Sequence, residues 1–193
     1  TIICSLIKTF HSKKILDFSA GWGDRLIGTM SYDDKIKEYC GIDPNKSLHS
    51  GYKNMIKTFL PKSSHRKYNM IHGCAEDIIS QLDTQFDLIF TSPPYFDIEN
   101  YSNDSNQSIH KFPKYEDWYT HFLLSCLRQS VTKLTSDGIL AINIDNTPKH
   151  NIVDALIKDM KKIVEIEFLG IIYCGNHMCK TSIYQSILIW QKK

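Results

Sequence analysis

Short apolar runs alternate along this chain with longer stretches in which apolar residues recur every three or four positions. The first pattern predicts buried β-strands and the second predicts amphipathic helices. The chain opens on a helical pattern. The predicted strands are 15–18, 39–42, 68–71, 86–90, 139–144, 164–173 and 183–190. The helices predicted after the opening one are 24–30, 46–59, 75–82, 118–134 and 153–160.

The order of these elements predicts the architecture. Strands that alternate with helices through short loops favour a parallel sheet with helices on both faces. The last two strands are joined by about nine residues, which is too few for a parallel crossover, so they should form an antiparallel hairpin. We therefore expect one α/β domain over residues 1–193 with a Rossmann-like, mostly parallel seven-stranded sheet.

One predicted connection, 96–114, is long and rich in polar residues. A loop of that length in a compact domain is typically functional, and a solvated connection without a role is the alternative. Asp97, Glu99, Tyr101 and Gln107 lie within it and are candidates to close over a substrate.

Composition narrows the class of protein only slightly. A hydrophobic fraction of 42% and a charged fraction of 23% are ordinary for a soluble domain. A net charge of +2 gives no electrostatic indication of nucleic-acid binding. The apolar stretch 163–173 contains Glu165 and Glu167 and is too short for a membrane span. Because no secretory signal opens the chain, we expect a cytoplasmic protein, or a nuclear one in a eukaryote, with no membrane partner.

Cysteines and basic residues indicate no special site. The six cysteines are scattered without a C-x-x-C pair, which is typical of reduced intracellular thiols. Cys174, His177 and Cys179 lie close together, but no fourth ligand is apparent and we predict no metal. The basic run of Lys62 and residues 65–67 is interpreted as a solvated loop rather than a phosphate track.

Three successive strand ends carry residues suited to adenosine. After the first strand, the small residues between Asp17 and Arg25 allow close approach of a ligand, although a generic glycine turn would look similar. Asp43 closes the second strand, where an acid can accept both hydroxyls of a ribose. The segment 73–77 follows the third strand and is positioned to border an adenine. Since no pyrophosphate loop or P-loop lysine accompanies them, we predict a cofactor with adenosine but no phosphates.

The fourth strand runs into Thr91-Ser92-Pro93-Pro94-Tyr95. Two prolines fix the backbone and end the sheet pairing. The Ser92 hydroxyl and the Pro93 carbonyl can together accept both protons of an amino group, which would direct the nitrogen lone pair at an electrophilic methyl. Tyr95 offers a ring on which a flipped base can stack, so we expect it to face the crevice and not the core. A proline-stiffened turn with a core tyrosine is the alternative.

This T-S-P-P-Y segment resembles the catalytic motif of S-adenosylmethionine-dependent DNA amino-methyltransferases, which act on adenine N6 or cytosine N4. The stretch from Asp17 to Arg25 is similar to their cofactor motif. The run 92–102, with Gln107-Ser108 and Trp118, resembles a subgroup found in phages and mobile elements. The resemblance covers nearly the whole chain and implies the class I methyltransferase fold, with direct in-line transfer and no covalent intermediate.

The resemblance also implies roles for individual residues. S-adenosylmethionine would be bound by Asp17, Ser19, Ala20, Gly21, Gly23, Asp43, Pro44, Ala75 and Glu76. Methyl transfer would be carried by Ser92, Pro93, Pro94 and Tyr95. The position of the long connection directly after this motif adds that Phe96, Asp97 and Tyr101 would contact the substrate and that Tyr115 would brace the loop. The partner would be DNA with a base flipped into the site. RNA and a separate specificity domain or subunit are further candidates.

Several alternatives stay open. Many related families have Asp where Cys74 stands, and Ser92 replaces the Asp typical of adenine enzymes, so the target base is undecided. Cytosine C5 chemistry is excluded because the sequence has no Pro-Cys pair. An RNA or protein-glutamine methyltransferase and a catalytically silent scaffold subunit are the rival functions. Asp145 and Asn146 either contact substrate or cap the next helix. Because the chain starts at Thr1 and shows no target-recognition domain, we expect a fragment of a longer protein.

Overall fold

The computed structural model describes residues 1–32, 35–61, 63–98, 101, 104–175 and 184–193. Several residues named above lie outside this part of the chain. These are Lys62, Glu99, His177, Cys179 and the predicted first residue of the last strand, Ile183.

Seven strands form one sheet in the described part of the chain. They are β1 Lys14–Asp17, β2 Glu38–Asp43, β3 Lys67–His72, β4 Phe86–Thr91, β5 Leu134–Asn143, β6 Ile166–Gly175 and β7 Tyr184–Lys192. Their order in the sheet is β3-β2-β1-β4-β5-β7-β6. The first five strands are parallel to one another, and β7 is antiparallel to both β5 and β6. The predicted mostly parallel sheet with a final antiparallel hairpin is therefore confirmed.

Helices connect most of the strands. The α-helices are α1 Ile2–Phe10, α2 Asp24–Tyr32, α3 His49–Phe59, α4 Ala75–Ile78, α5 Ser108–Lys111, α6 Tyr115–Asp117, α7 Ser125–Lys133 and α8 Ile152–Met160. A π-helical segment, Trp118–Leu124, joins α6 to α7, and 3₁₀ turns occur at Lys46–Leu48, Ile79–Gln81 and Phe96–Ile98. The connection 96–114 therefore contains two short helical turns. None of the helices in the described residues is long and apolar enough to cross a membrane.

Two apolar cores lie on opposite faces of the sheet because side chains alternate along each strand. Ile15, Leu88 and Ile139 belong to the core that includes residues of α1, α2 and α3. Leu16 and Ile89, one position further along, belong to the core that includes residues of α4, α7 and α8. Burial on both faces explains why the central strands are nearly continuous apolar runs. Because both faces of the sheet are covered by apolar cores, a polar site is expected in the loops at the carboxyl ends of the strands.

Candidate functional site

A crevice opens at the carboxyl edge of the sheet, where open α/β folds bind their ligands. We call it the main crevice. It contains about 980 Å³ of space when its open mouth is included. Eleven of the residues predicted from sequence line it: Ser19, Ala20, Gly21, Asp43, Pro44, Ala75, Glu76, Ser92, Pro94, Tyr101 and Gln107. The ends of β1, β2, β3 and β4 thus contribute to one site.

The loop between β1 and α2 is held in place at several points. The amide of Ala20 donates to the carbonyl of Ile42 at 3.0 Å, and the amide of Gly21 donates to Asp43 Oδ2 at 2.8 Å. The Tyr52 hydroxyl donates to the carbonyl of Gly21. Because these bonds tie the loop to β2 and α3, its backbone is preorganised for a ligand.

Gly23 does not line the main crevice, contrary to the sequence-based expectation. Its φ is +89°, and a Cβ atom there would lie 2.9 Å from the sulfur of Met55. The positive φ favours glycine, and a larger residue would also require the flexible Met55 side chain to move. Gly23 therefore shapes the loop by packing against α3, on the side away from a ligand.

Asp17 was expected to bind the cofactor, but the structure buries it completely, at 0% exposure. Arg25 Nε donates to its Oδ2 at 2.6 Å, and the Tyr39 hydroxyl donates to the same oxygen at 2.9 Å. Thr91 Oγ1 and the amide of Ser19 donate to Oδ1 at 3.0 and 3.3 Å. With four donors satisfied inside the fold, Asp17 positions the loop and does not face the main crevice.

Asp43 keeps its predicted place in the main crevice. Its carboxylate accepts the amides of Gly21 and Asn45, each at 2.8 Å. Burial raises the pKa of Asp43, although these two backbone N–H groups act in the opposite direction. Each carboxylate oxygen retains a lone pair beyond its backbone bond, so the group can still accept hydrogen bonds from a ligand.

The third strand end is closed by the second half of the long connection. Asn106, Gln107 and Ser108 line the main crevice opposite Glu76. Lys111 Nζ lies 2.8 Å from carboxylate oxygens of both Glu76 and Asp77.

Cys74 also contributes, because its thiol donates to the carbonyl of Asn106 at 3.7 Å. The ligand atoms of Cys74, Glu76 and Asp77 lie within 4.8 Å of one another. The positive charge beside Glu76 and Asp77 comes from the Lys111 ammonium.

The S-P-P-Y turn reaches the main crevice through Ser92 and Pro94, while Pro93 is buried and does not line it. The expectation that Tyr95 stands clear of the core is wrong. Its ring is half-buried against the core, and its hydroxyl donates to the carbonyl of Asn143 at 3.4 Å.

Phe96 and Asp97 do not line the main crevice either. Phe96 has a left-handed backbone, with φ of 53°, and its ring is 7% exposed. It contacts the rings of Tyr115, Trp118 and His150, each with centroids 5.6 Å away. Asp97 pairs with Lys149 at 3.3 Å. These contacts hold the chain just after the S-P-P-Y turn, and Tyr115 packs against Phe96 at the start of the long connection.

Two other sequence-based interpretations are clarified. Asn146 Oδ1 accepts the amide of Val153 in the first turn of α8 at 2.9 Å, so the helix-capping alternative describes it. The basic residues 65–67 border a separate cleft with Lys14 and Lys37. That cleft lies at the amino ends of β1 to β3, the opposite edge of the sheet from the main crevice.

Sequence reasoning missed several residues of the site. Arg25, Tyr39 and Thr91 donate hydrogen bonds to Asp17, and no short-range sequence pattern predicts those contacts. Trp22, which lies between two motif glycines, also lines the main crevice. Asn143 ends β5 with a buried side-chain oxygen that has no partner among the described residues.

The chain was also compared with known proteins. Its sequence matches no protein-family model and no curated protein. Its structure is similar to TrmN from Thermus thermophilus, with a TM-score of 0.68 and 12% identity, over 100% of this chain and 48% of that one. It is also similar to an rRNA methylase from Streptococcus thermophilus, with a TM-score of 0.57 and 10% identity, over 93% and 86% of the two chains. A third similar structure is SMU.1697c from Streptococcus mutans in complex with SAH. It has a TM-score of 0.62 and 10% identity, over 97% of this chain and 96% of that one. The chain has the class I methyltransferase fold.

The charge of the main crevice limits what this fold can hold there. Three acids line it, Asp24, Asp43 and Glu76, against one basic residue, Arg25. Arg25 is already paired with the buried Asp17. Glu76 is in turn paired with Lys111. The remaining acids, Asp24 and Asp43, favour a ligand that carries positive charge over one that carries phosphates.

Proposed function

We propose that the chain transfers a methyl group from S-adenosylmethionine to an exocyclic amino group of a DNA base, adenine N6 or cytosine N4, by direct in-line transfer. One observation carries this proposal. Ser92 and Pro94 of the S-P-P-Y turn border the same crevice as Gly21 and Asp43, which suit an adenosine. The turn that we propose to accept an amino group and the loops that we propose to hold the methyl donor line one crevice.

The properties of the main crevice fit S-adenosylmethionine. This cofactor supplies an electrophilic methyl on a sulfonium ion, has no phosphates and carries net positive charge. The acidic lining suits such a ligand and disfavours a dinucleotide. Asp43 would accept the ribose hydroxyls, the backbone around Gly21 would border the methionine part, and Ala75 and Glu76 would border the adenine. The SAH complex of SMU.1697c is consistent with this choice.

The substrate side rests on the catalytic turn. The Ser92 hydroxyl and the Pro93 carbonyl would each accept a hydrogen bond from the amino group and leave the nitrogen lone pair directed at the methyl. These hydrogen bonds would strengthen as the nitrogen gains positive charge during its attack on the methyl. They would therefore stabilise the transition state more than the bound base. As the N–C bond forms, the S–C bond breaks and S-adenosylhomocysteine leaves, and the methylated nitrogen then loses one proton to solvent. Tyr95, held through its hydroxyl at the end of β5, would support the turn and border the base. Selection of a DNA sequence would come from a separate domain or subunit.

The experiment that tests the proposal is incubation with labelled S-adenosylmethionine and separate pools of unmodified DNA, RNA and protein. Nucleoside mass spectrometry would identify the product, and we expect N6-methyladenine or N4-methylcytosine. Label in RNA or in protein glutamine would redirect the function to those rivals. No label in any pool would favour a silent scaffold subunit.

Ser92→Ala provides the test within the site. We expect it to cost roughly 1–3 kcal/mol of transition-state stabilisation, the value of a buried hydrogen bond, with little change in S-adenosylmethionine affinity. Ser50→Ala, at an exposed position on α3, is the matched control and should act like wild type. A Ser92→Ala variant that transfers methyl groups at the wild-type rate would remove this serine from the mechanism.

A further inference from the structure

Trp22 is a large aromatic side chain that the fold holds in solvent at the mouth of the main crevice. It is 66% exposed, whereas Trp118 and Trp190, the other two tryptophans of the chain, are 0% and 1% exposed. Scattered exposed apolar residues are common. Trp22 differs because it lines the same crevice as Ser92.

The backbone around Trp22 explains its direction. Gly21 and Gly23 both have positive φ, at 57° and 89°. Gly21 is tied to Asp43 at 2.8 Å, and the amide of Gly23 donates to the carbonyl of Ala20 at 3.2 Å. Since the residues on both sides of Trp22 are fixed, the exposure of its ring is a property of the fold.

The order of the sheet places the loop that carries Trp22 next to the strand that leads to Ser92. Trp22 follows β1, which lies between β2, ending in Asp43, and β4, leading to Ser92. The adenine-side residues Ala75 and Glu76 follow β3, two strands away from β1. A second exposed aromatic, Tyr101, lines the same crevice. Two exposed aromatic side chains therefore line the crevice that also contains Ser92.

We propose that Trp22 is a substrate-contact residue, a platform on which a base of the nucleic-acid substrate stacks at the mouth of the main crevice. This inference rests on the proposed function. The acids Asp24 and Asp43 of the lining offer little attraction to phosphates, so stacking on the exposed ring is a favourable interaction that does not depend on the charge of the backbone. Every base has a π-face, so the contact accepts any sequence.

The test uses the intact chain with single-stranded DNA and S-adenosylmethionine measured separately. Oligonucleotide affinity is measured by fluorescence anisotropy of a labelled DNA, and cofactor affinity by calorimetry. Stacking is worth roughly 1–3 kcal/mol per base, so we expect Trp22→Ala to weaken DNA binding about 5- to 150-fold. We expect the affinity for S-adenosylmethionine to stay near the wild-type value.

Trp22→Phe is the matched control and adds a spectroscopic signature. It keeps a stacking ring but removes the exposed fluorophore, so DNA should bind with nearly wild-type affinity. Addition of DNA should quench tryptophan emission in the wild type and leave it nearly unchanged in Trp22→Phe, because the remaining tryptophans are buried. Unfolding temperatures of both variants would show that the fold is intact.

The possible failures are distinguishable. Unchanged DNA affinity in Trp22→Ala would overturn the platform but leave methyl transfer standing. A loss of S-adenosylmethionine affinity without a loss of DNA affinity would assign the ring to the cofactor and overturn the inference. A wild-type chain that neither binds nor methylates nucleic acid would overturn both this inference and the proposed function.

Discussion

Replacement of Asp17 by Asn separates a structural role from a cofactor-binding one. The carboxylate accepts four hydrogen bonds, two at each oxygen. Asparagine offers one oxygen only, and its NH₂ group would face either the Ser19 and Thr91 donors or those of Arg25 and Tyr39. We therefore expect Asp17→Asn to destabilise the fold.

The magnitude follows from the burial of the ion pair. Removing one partner of a buried pair typically costs about 3–5 kcal/mol, because the remaining charge is left unpaired. The Arg25 side chain is 18% exposed and that of Asp17 is 0% exposed. Water can therefore partly solvate the orphaned guanidinium, and we expect a loss near the lower end, about 3 kcal/mol. This is a large part of the roughly 5–15 kcal/mol that stabilises an ordinary domain.

Urea unfolding followed by circular dichroism measures the effect, and calorimetry of the folded variant measures S-adenosylmethionine affinity. Asp77→Asn is the control, because its side chain is 63% exposed and a surface ion pair contributes about 0–1 kcal/mol. The double variant Asp17→Asn with Arg25→Met should recover part of the loss, since no unpaired charge remains. An Asp17→Asn variant with wild-type stability but no cofactor binding would refute the burial argument.

Two further predictions concern the neighbouring loops. Gly23→Ala should lower the free energy of unfolding by about 1–2 kcal/mol, because its φ is +89°, and Met55 must also move. Gly51→Ala in α3, where a Cβ meets nothing within 4 Å, should instead be neutral or stabilising by up to about 1 kcal/mol. Equal urea midpoints for Gly23→Ala and Gly51→Ala would contradict this difference. Burial raises the pKa of Asp43, so its carboxylate is protonated at higher pH than an ordinary aspartate. S-adenosylmethionine affinity should therefore fall as pH is lowered from about 7 to 4, and calorimetry should find that dependence lost in Asp43→Asn.

Much of the fold was predictable because it depends on local patterns. Apolar runs bounded by turn residues located all seven strands, and the short link before the last strand required an antiparallel pair. The convergence of four strand ends followed from parallel pairing alone. This is why Asp43, Ala75 and Ser92, which lie on different loops, were correctly expected at one edge of the sheet.

The directions of individual side chains were less predictable. A strand pattern places Asp17 on the same face as Ile15, but only the pairing of Ile15 with Tyr39 brings the tyrosine hydroxyl within reach. Phe96 adopts a left-handed backbone that its residue type disfavours. Its aromatic neighbours come from segments about 20 to 50 residues away. Such contacts are products of tertiary packing and leave no local signal.

On the proposed function, the connection after the S-P-P-Y turn borders the methyl-donor side of the crevice as well as the substrate side. Sequence reasoning placed it over the base alone. Its second half instead returns to the end of β3, where Lys111 pairs with Glu76 and Asp77. The indole N–H of Trp118 donates to the buried Ser108 at 3.2 Å. Because these anchors are internal, packing sets the position of residues 104–111. On the proposed function, the stretch of chain that begins with the catalytic motif thus borders both the acceptor and the donor of the methyl group.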